Sequence, residues 1–251
     1  MDLNGKVAVV SAAGAGIGAA TASLLARSGC TVVGIDLDVD ALDEQRRALG
    51  HDGVFHPLVA DVSDPETVAA AIAEAVRLGR GRLDILANVA GGSRPGQDVV
   101  ALDPEEWDRL VRLNLTSVYL MCRAVIPHMR AAGGGSIVNV SSGAGLRGMH
   151  ANPAYVAAKA GVVALTRALA LDHGPEGIRT NCVAPGPVAT PLMRRNRTPE
   201  QIAMLAREVS VLGRLGEPEE LAEAIVWLAS DASSYVMGQT IEVDGGVASV
   251  V

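Results

Sequence analysis

Short apolar runs alternate with longer amphipathic stretches along the whole 251-residue chain. Seven runs rich in Val, Ile and Ala read as strands: Lys6–Val10, Thr31–Asp36, Val54–Ala60, Ile85–Asn88, Ser136–Ser141, Arg179–Ala184 and Thr240–Val243. Several are nearly continuous in apolar residues, the pattern of strands covered on both faces. The stretches between them repeat apolar residues at helical spacing. They cover Ile17–Ser28, Val39–Leu49, Pro65–Arg77, Glu105–Ala131 with a break near Asn114, Tyr155–His173 and Pro218–Leu228. In Asp64-Pro65-Glu66 and Glu217-Pro218-Glu219 a proline opens the helix beside acids that suit its dipole. Strand–helix alternation from end to end predicts an α/β fold, a doubly wound parallel sheet with helices on both faces. No repeat or low-complexity linker divides residues 1–251, so they read as one domain. Pro185–Gly213 is the one irregular span, and its part from about 191 to 213 reads as a loop over a substrate site.

Composition narrows the function classes. Apolar residues make up 49% and charged residues 20%, enough for a core and too ordered a mixture for a disordered chain. No run of about 18 uninterrupted apolar residues occurs, which predicts no membrane span. Met1-Asp2-Leu3-Asn4-Gly5-Lys6 passes straight into a strand pattern, unlike a secretory leader, so a cytoplasmic location is expected. A net charge of −7 and 2% aromatics offer neither a basic footprint nor stacking platforms, which argues against nucleic acid as a partner. Cys30, Cys122 and Cys182 form no CxxC and read as small buried hydrophobes. His51, His56, His128, His150 and His173 lack HxxxH spacing, so no metal site is predicted.

Four features carry chemistry. Ser11-Ala12-Ala13-Gly14-Ala15-Gly16-Ile17-Gly18 follows the first strand and opens a helix. Glycines there let backbone approach a pyrophosphate, and the helix N-terminus adds free N–H groups. Asp36 ends the second strand, where a carboxylate accepts ribose hydroxyls and repels a 2′-phosphate. Leu37 follows it and Ala15 precedes Gly16, so neither position supplies a base; NAD is favoured over NADP. Tyr155 and Lys159 stand four apart on a predicted helix and share a face. Lysine is scarce: only Lys6 and Lys159 among 21 basic residues, so composition does not account for the pairing. An ammonium beside a phenol draws its pKa down and suits it to acid–base work. Ser142, 13 residues before Tyr155, ends a strand and would point into a ligand crevice. Alone it would read as a turn serine.

These residues resemble the short-chain dehydrogenase/reductase family, in its single-domain branch of about 250 residues, over nearly the whole chain. The resemblance implies a single NAD(P)-binding domain with a seven-stranded Rossmann-type sheet. It implies a catalytic tetrad of Asn114, Ser142, Tyr155 and Lys159. In that tetrad Tyr155 exchanges the substrate proton and Ser142 orients the substrate oxygen. Lys159 binds the nicotinamide ribose and Asn114 holds a relay water. It further implies that Asp61 and Val62 meet the adenine and that Asn88-Val89-Ala90-Gly91 lies under the cofactor. Pro185, Gly186, Val188 and Thr190 would hold the carboxamide, and Ile241–Gly246 matches the closing strand and turn. Two departures stand out: the family's loop begins Thr-Gly where this chain has Ser11-Ala12 with an extra Gly14, and Val89 replaces an asparagine.

The substrate is less legible. His150 and Asn152 lie just before Tyr155 and are candidate polar contacts; Arg194, Arg195 and Arg197 would attract an anion or simply be solvated. Few aromatic walls favour a small secondary alcohol, cyclic alcohol, polyol or hydroxy acid with its ketone. The alternative is a 3-oxoacyl-(acyl-carrier-protein) reductase, disfavoured by Asp36 and by Leu171-Asp172, where those enzymes commonly have Arg-Glu. A non-catalytic NAD(H)-binding protein on the same fold would be expected to lack a tetrad member. The resemblance also implies a homotetramer, with the apolar end Val247–Val251 covered in an interface.

Overall fold

The computed structural model describes residues 2–50, 55–195 and 198–247. Seven parallel strands form one sheet in the order β3-β2-β1-β4-β5-β6-β7. They are β1 (Val7–Ser11), β2 (Thr31–Asp36), β3 (Phe55–Val59), β4 (Ile85–Asn88), β5 (Gly135–Val140), β6 (Ile178–Pro185) and β7 (Thr240–Val243). The start of the predicted third strand, at Val54, lies outside the described residues.

The pleat of β1 explains the layering. Val7 and Val9 enter one core with Val33, Ile35 and the helices α3 (Pro65–Leu78), α5 (Ser117–Ala131) and α7 (Pro153–His173). Ala8 and Val10 enter the other core with Val32 and the helices α1 (Gly16–Arg27), α2 (Val39–Leu49) and α10 (Pro218–Ala229). Successive side chains point to opposite faces, so one strand feeds both cores. Strand order reverses between β1 and β4, and the crevice beyond their carboxyl ends is the place where such sheets bind ligands.

The predicted break near Asn114 is a π-helical turn, Arg112–Thr116, between α4 (Pro104–Val111) and α5. The stretches Pro104–Ala131 and Pro153–Glu176 are long and apolar enough to cross a membrane by length and composition. Their apolar faces pack against the sheet through Val118, Met121, Val125, Val162 and Val163.

The irregular reading of 191–213 is corrected. The span holds α8 (Pro191–Arg195) and α9 (Pro199–Val209). Its prolines are helix openers rather than breakers. Thr198 caps α9 and closes a reciprocal capping box with Gln201. Ile202, Leu205 and Ala206 then pack with Ala189, Met193 and Leu215 in a small separate core. A single turn, α6 (Ala144–Arg147), was also not foreseen.

Candidate active site

The glycine loop owes its shape to close contacts. A Cβ on Gly18 would overlap the Ala12 carbonyl, and one on Gly14 would sit 2.8 Å from the Ala41 Cβ. The extra Gly14 therefore has a purpose: its N–H donates to Asp36 Oδ2 at 3.0 Å. Asp38 N–H donates to Asp36 Oδ1 at 3.1 Å, which orients the carboxylate at the end of β2. Leu37 beside it is exposed. Ala12 takes φ +54°, the left-handed region, at the position where the resembled family has glycine.

The start of α1 suits an anion. Ala15, its N-cap, provides no side-chain cap, and the first turn has no acid. Five other helices, α2, α3, α4, α9 and α10, open on Asp, Thr or Glu caps and carry acid in the first turn. Gly16, at φ +55°, lies against Thr190, whose Cγ2 would be 3.3 Å from an added Cβ. Thr190 Oγ1 in turn accepts from Met193 N at the start of α8. The loop, with Ile17 packed on the α1-side core, and the Pro185–Thr190 turn thus meet at one end of the sheet. This cradle fits a nucleotide pyrophosphate.

The side chains of several residues expected at the cofactor also find partners within the chain. Ser11 is buried and its hydroxyl accepts from Val89 N at 2.9 Å and Ala90 N at 3.0 Å. It fastens β1 to the segment after β4, so its side chain builds the crevice rather than facing it. Asn88 is also buried; its amide donates to Asn139 Oδ1 and Cys122 Sγ, because a polar side chain inside the sheet must find partners there. Asp61 Oδ1 accepts from Ser63 N and Ser63 Oγ, and Val62 joins the core. Pro185 and Val188 are buried, and Gly186 presses on Asp244, where a Cβ would lie 2.7 Å from its Cα.

The tetrad residues converge. Ser141 is buried, and its hydroxyl donates to the Lys159 carbonyl at 2.7 Å, pinning α7 to the end of β5. Ser142, next in the chain, accepts from Ala144 N at 3.2 Å and stands beside the Tyr155 phenol, whose pKa it lowers. Lys159 is 3% exposed; its Nζ donates to the Val140 carbonyl at 2.9 Å and stands 5.9 Å from the Tyr155 ring centre. Burial draws the Lys159 pKa down to about 8. Burial also pushes the Tyr155 pKa up, and the Ser142 hydrogen bond only partly offsets it. In the ligand-free chain Lys159 gives its ammonium to the Val140 carbonyl, and burial sets the direction of the Tyr155 shift.

Asn114 sits in the π-helical turn, fully buried. Its Oδ1 accepts from Gly92 N at 3.0 Å, and its Nδ2 donates to the Gly92 and Leu110 carbonyls at 2.8 and 2.9 Å. Both amide protons are thus committed to backbone, and the side chain braces the Gly92 segment. A Cβ on Gly91 would come 2.7 Å from Asn114 Oδ1 and 2.9 Å from Lys159 Nζ, so glycine lets three elements meet.

The substrate expectations divide. His150 is exposed. Asn152 is 2% exposed, with Nδ2 on Met149 Sδ at 3.5 Å and Oδ1 without a partner among the described residues. It stands immediately before α7. Arg194 pairs with Glu217 at 3.6 Å and Arg195 is exposed; Arg197 lies outside the described residues. A cavity of about 490 Å³ lies between α8, α9 and the 213–217 segment, but no tetrad residue lines it. Burial pushes the pKa of Cys30 and Cys122 up to about 12 and of Cys182 to about 11, as suits packing residues. Among the described residues no group of three or more His, Cys, Asp or Glu could hold a metal ion.

The family model described as enoyl-(acyl carrier protein) reductase matches residues 11–248. The chain is 44% identical to cis-4-hydroxycyclohexanecarboxylate dehydrogenase of Sinomonas cyclohexanicum, over 98% of this chain and 97% of that protein. It is 40% identical to 3-oxoacyl-[acyl-carrier-protein] reductase of Thermotoga maritima, over 98% and 99%. A crystal structure of a putative short-chain dehydrogenase/reductase from Burkholderia xenovorans superposes with a TM-score of 0.92 at 36% identity, covering 99% of this chain and 98% of that one. The chain is a member of the short-chain dehydrogenase/reductase family, an oxidoreductase of alcohol and ketone groups.

Proposed function

We propose that the protein is an NAD-dependent dehydrogenase that interconverts a small secondary alcohol and its ketone, with a cyclic alcohol as the favoured substrate class. Members of the family bind nicotinamide cofactors. The single observation that carries the reading is the convergence of Ser142, Tyr155 and Lys159 beside a glycine loop whose Gly14 is tied to Asp36. An acidic residue at that position favours ribose hydroxyls over a 2′-phosphate.

Bound nicotinamide supplies or accepts the hydride. Ser11, Gly14, Gly16, Ile17 and Gly18 form the pyrophosphate loop, with Ser11 acting from beneath. Asp36 and Leu37 would meet the adenosine ribose, and Asp61 and Val62 the adenine. Asn88, Ala90 and Gly91 form the floor, and Pro185, Gly186, Val188 and Thr190 would meet the carboxamide. Ser142 orients the substrate oxygen. Tyr155 takes the alcohol proton in oxidation and returns it in reduction. Lys159 would hold the ribose hydroxyls, and a pKa near 8 lets it pass protons to and from Tyr155 near neutral pH. Asn114 positions Gly92, and through it Gly91, against Lys159.

Similarity to the Thermotoga reductase supports a second reading, reduction of 3-oxoacyl thioesters on a carrier protein. Leu171, 80% exposed, and Asp172 beside it stand where a carrier-protein reductase is expected to have Arg-Glu, which weighs against this reading. The test is initial rates with NAD⁺ and NADP⁺ against cyclohexanol, cis-4-hydroxycyclohexanecarboxylate and a polyol, and with NADH and NADPH against acetoacetyl-CoA for the reverse direction. The proposal expects turnover of an alcohol with NAD⁺ preferred at least about tenfold, a difference of about 1.4 kcal/mol. NADPH preference with turnover confined to the thioester would replace it with the second reading.

A further inference from the structure

Arg147 stands outside the tetrad, yet it touches the backbone that carries it. Ser142 begins the turn that becomes α6: Gly145 N donates to the Ser142 carbonyl, and Arg147 N to the Gly143 carbonyl, at 3.0 and 3.1 Å. The Arg147 side chain then folds back over Gly143, where any Cβ would collide with its Nη2. Gly143 N also donates to the Pro185 carbonyl at 2.9 Å. The guanidinium ends on β7 and the turn beyond it, with Nη1 on Glu242 and Nη2 3.5 Å from Asp244 Oδ2. The pair is sheltered: the side chains of Arg147 and Asp244 are 21% and 8% exposed.

Asp244 faces two ways. Its Oδ1 accepts from Gly246 N at 2.9 Å and so shapes the turn that presents the Gly245 carbonyl. That carbonyl receives Ser210 Oγ at 3.2 Å and Leu212 N at 3.3 Å, immediately after α9. Gly186, in the Pro185–Thr190 turn, packs on Asp244 at the same time. One chain of contacts therefore runs from Ser142 through Gly143, Arg147, Asp244 and Gly245 to the end of α9.

We infer that Arg147 and Asp244 are positioning residues that tie the loop bearing Ser142 to the far end of the α8–α9 segment. Neither touches the reacting atoms. The inference rests on the proposed role of Ser142 for its kinetic consequence, but its structural content does not. Displacing an orienting group by about 1 Å costs up to about a hundredfold in rate, so a loosened clamp should appear in kcat.

The test uses three variants of the full chain. Ser210→Ala removes one hydroxyl about the surface end of α9 and leaves Arg147 intact. In ligand-free protein, hydrogen exchange read by mass spectrometry should rise in Ser210→Ala at the amides of 143–148 as well as at 210–213. Arg147→Met should raise exchange at both segments and lower kcat for cyclohexanol with NAD⁺ about tenfold, with the KM for NAD⁺ within about twofold. Arg147→Lys should recover part of the loss. Exchange that rises only in the segment mutated overturns the clamp, as does an unchanged kcat in Arg147→Met. Wild-type protein that turns over no alcohol would count against the proposed function, while the exchange comparison would still decide the clamp.

Discussion

Lys159 is a buried amine that folding must desolvate, and replacing it offers a sharp prediction. Its pKa falls from 10.5 to about 8 on burial. At about 1.4 kcal/mol per unit, keeping the ammonium charged costs the fold about 3 kcal/mol at pH 7. Methionine keeps the length of the side chain without the charge. It also abandons the 2.9 Å bond to the Val140 carbonyl, which takes back about 1 kcal/mol. Lys159→Met should therefore be more stable than wild type by about 2 kcal/mol, or about 4–8 °C in melting temperature for a chain of this size. The pH dependence carries the sign. Between pH 8 and 10.5 the unfolded chain holds a proton that the folded lysine has released, so wild-type stability rises with pH there. The advantage of the variant is full below pH 8 and fades towards 10.5. The assay is thermal unfolding of both ligand-free proteins from about pH 6.5 to about pH 10, across the window set by these two pKa values. A variant less stable at neutral pH, or an advantage that does not shrink as pH rises, would refute the reasoning. Turnover should collapse in the same variant, a trade of stability against activity.

Asp36→Ala removes the carboxylate that Gly14 and Asp38 orient, and the ratio of kcat/KM for NAD⁺ over NADP⁺ should fall about 10–100-fold; an unchanged ratio would place discrimination elsewhere. Ala12→Gly relieves a left-handed backbone that costs an alanine about 1–2 kcal/mol, less about 0.5–1 kcal/mol of added chain entropy. Its melting temperature should rise by a few degrees, and a fall would show that the loop is not strained. Tyr119, Leu171 and Tyr235 are exposed on and beside the long helices, as expected of faces covered by other copies of the chain. Sedimentation velocity should give a tetramer, and a stable monomer at micromolar concentration would contradict that expectation.

Much of the frame could be read before any coordinates. The apolar runs located every strand because parallel strands buried on both faces leave little room for polar residues. Gly14 to Gly18, Asp36, Ser142, Tyr155 and Lys159 stood out because the topology makes their positions special, and because tyrosine and lysine are rare in this chain. Direction was not legible. Ser11, Asn88 and Asn114 carry polar groups that suit a ligand, yet each is buried and spends its bonds on backbone or on other side chains, while Asn152 is buried with its Oδ1 unpartnered among the described residues. Sequence gives the identity of such groups but not the competition for their partners. Pro191 and Pro199 read as breaks because proline both ends and begins helices; Thr198 with Gln201 was the available signal for α9. The depressed Lys159 and raised Tyr155 pKa values follow from burial, which a spacing of four residues does not reveal.

The central claim is that Tyr155, held by Ser142 beside Lys159, is the proton-exchanging group of a nicotinamide-dependent alcohol oxidation. Its most direct test is the rate of reduced-nicotinamide formation by wild-type protein and by Tyr155→Phe, with NAD⁺ and cyclohexanol. Phenylalanine keeps the ring and removes only the hydroxyl. The account predicts a loss in kcat of about 10²–10⁴-fold with NAD⁺ binding retained. Turnover in Tyr155→Phe near that of wild type would contradict it.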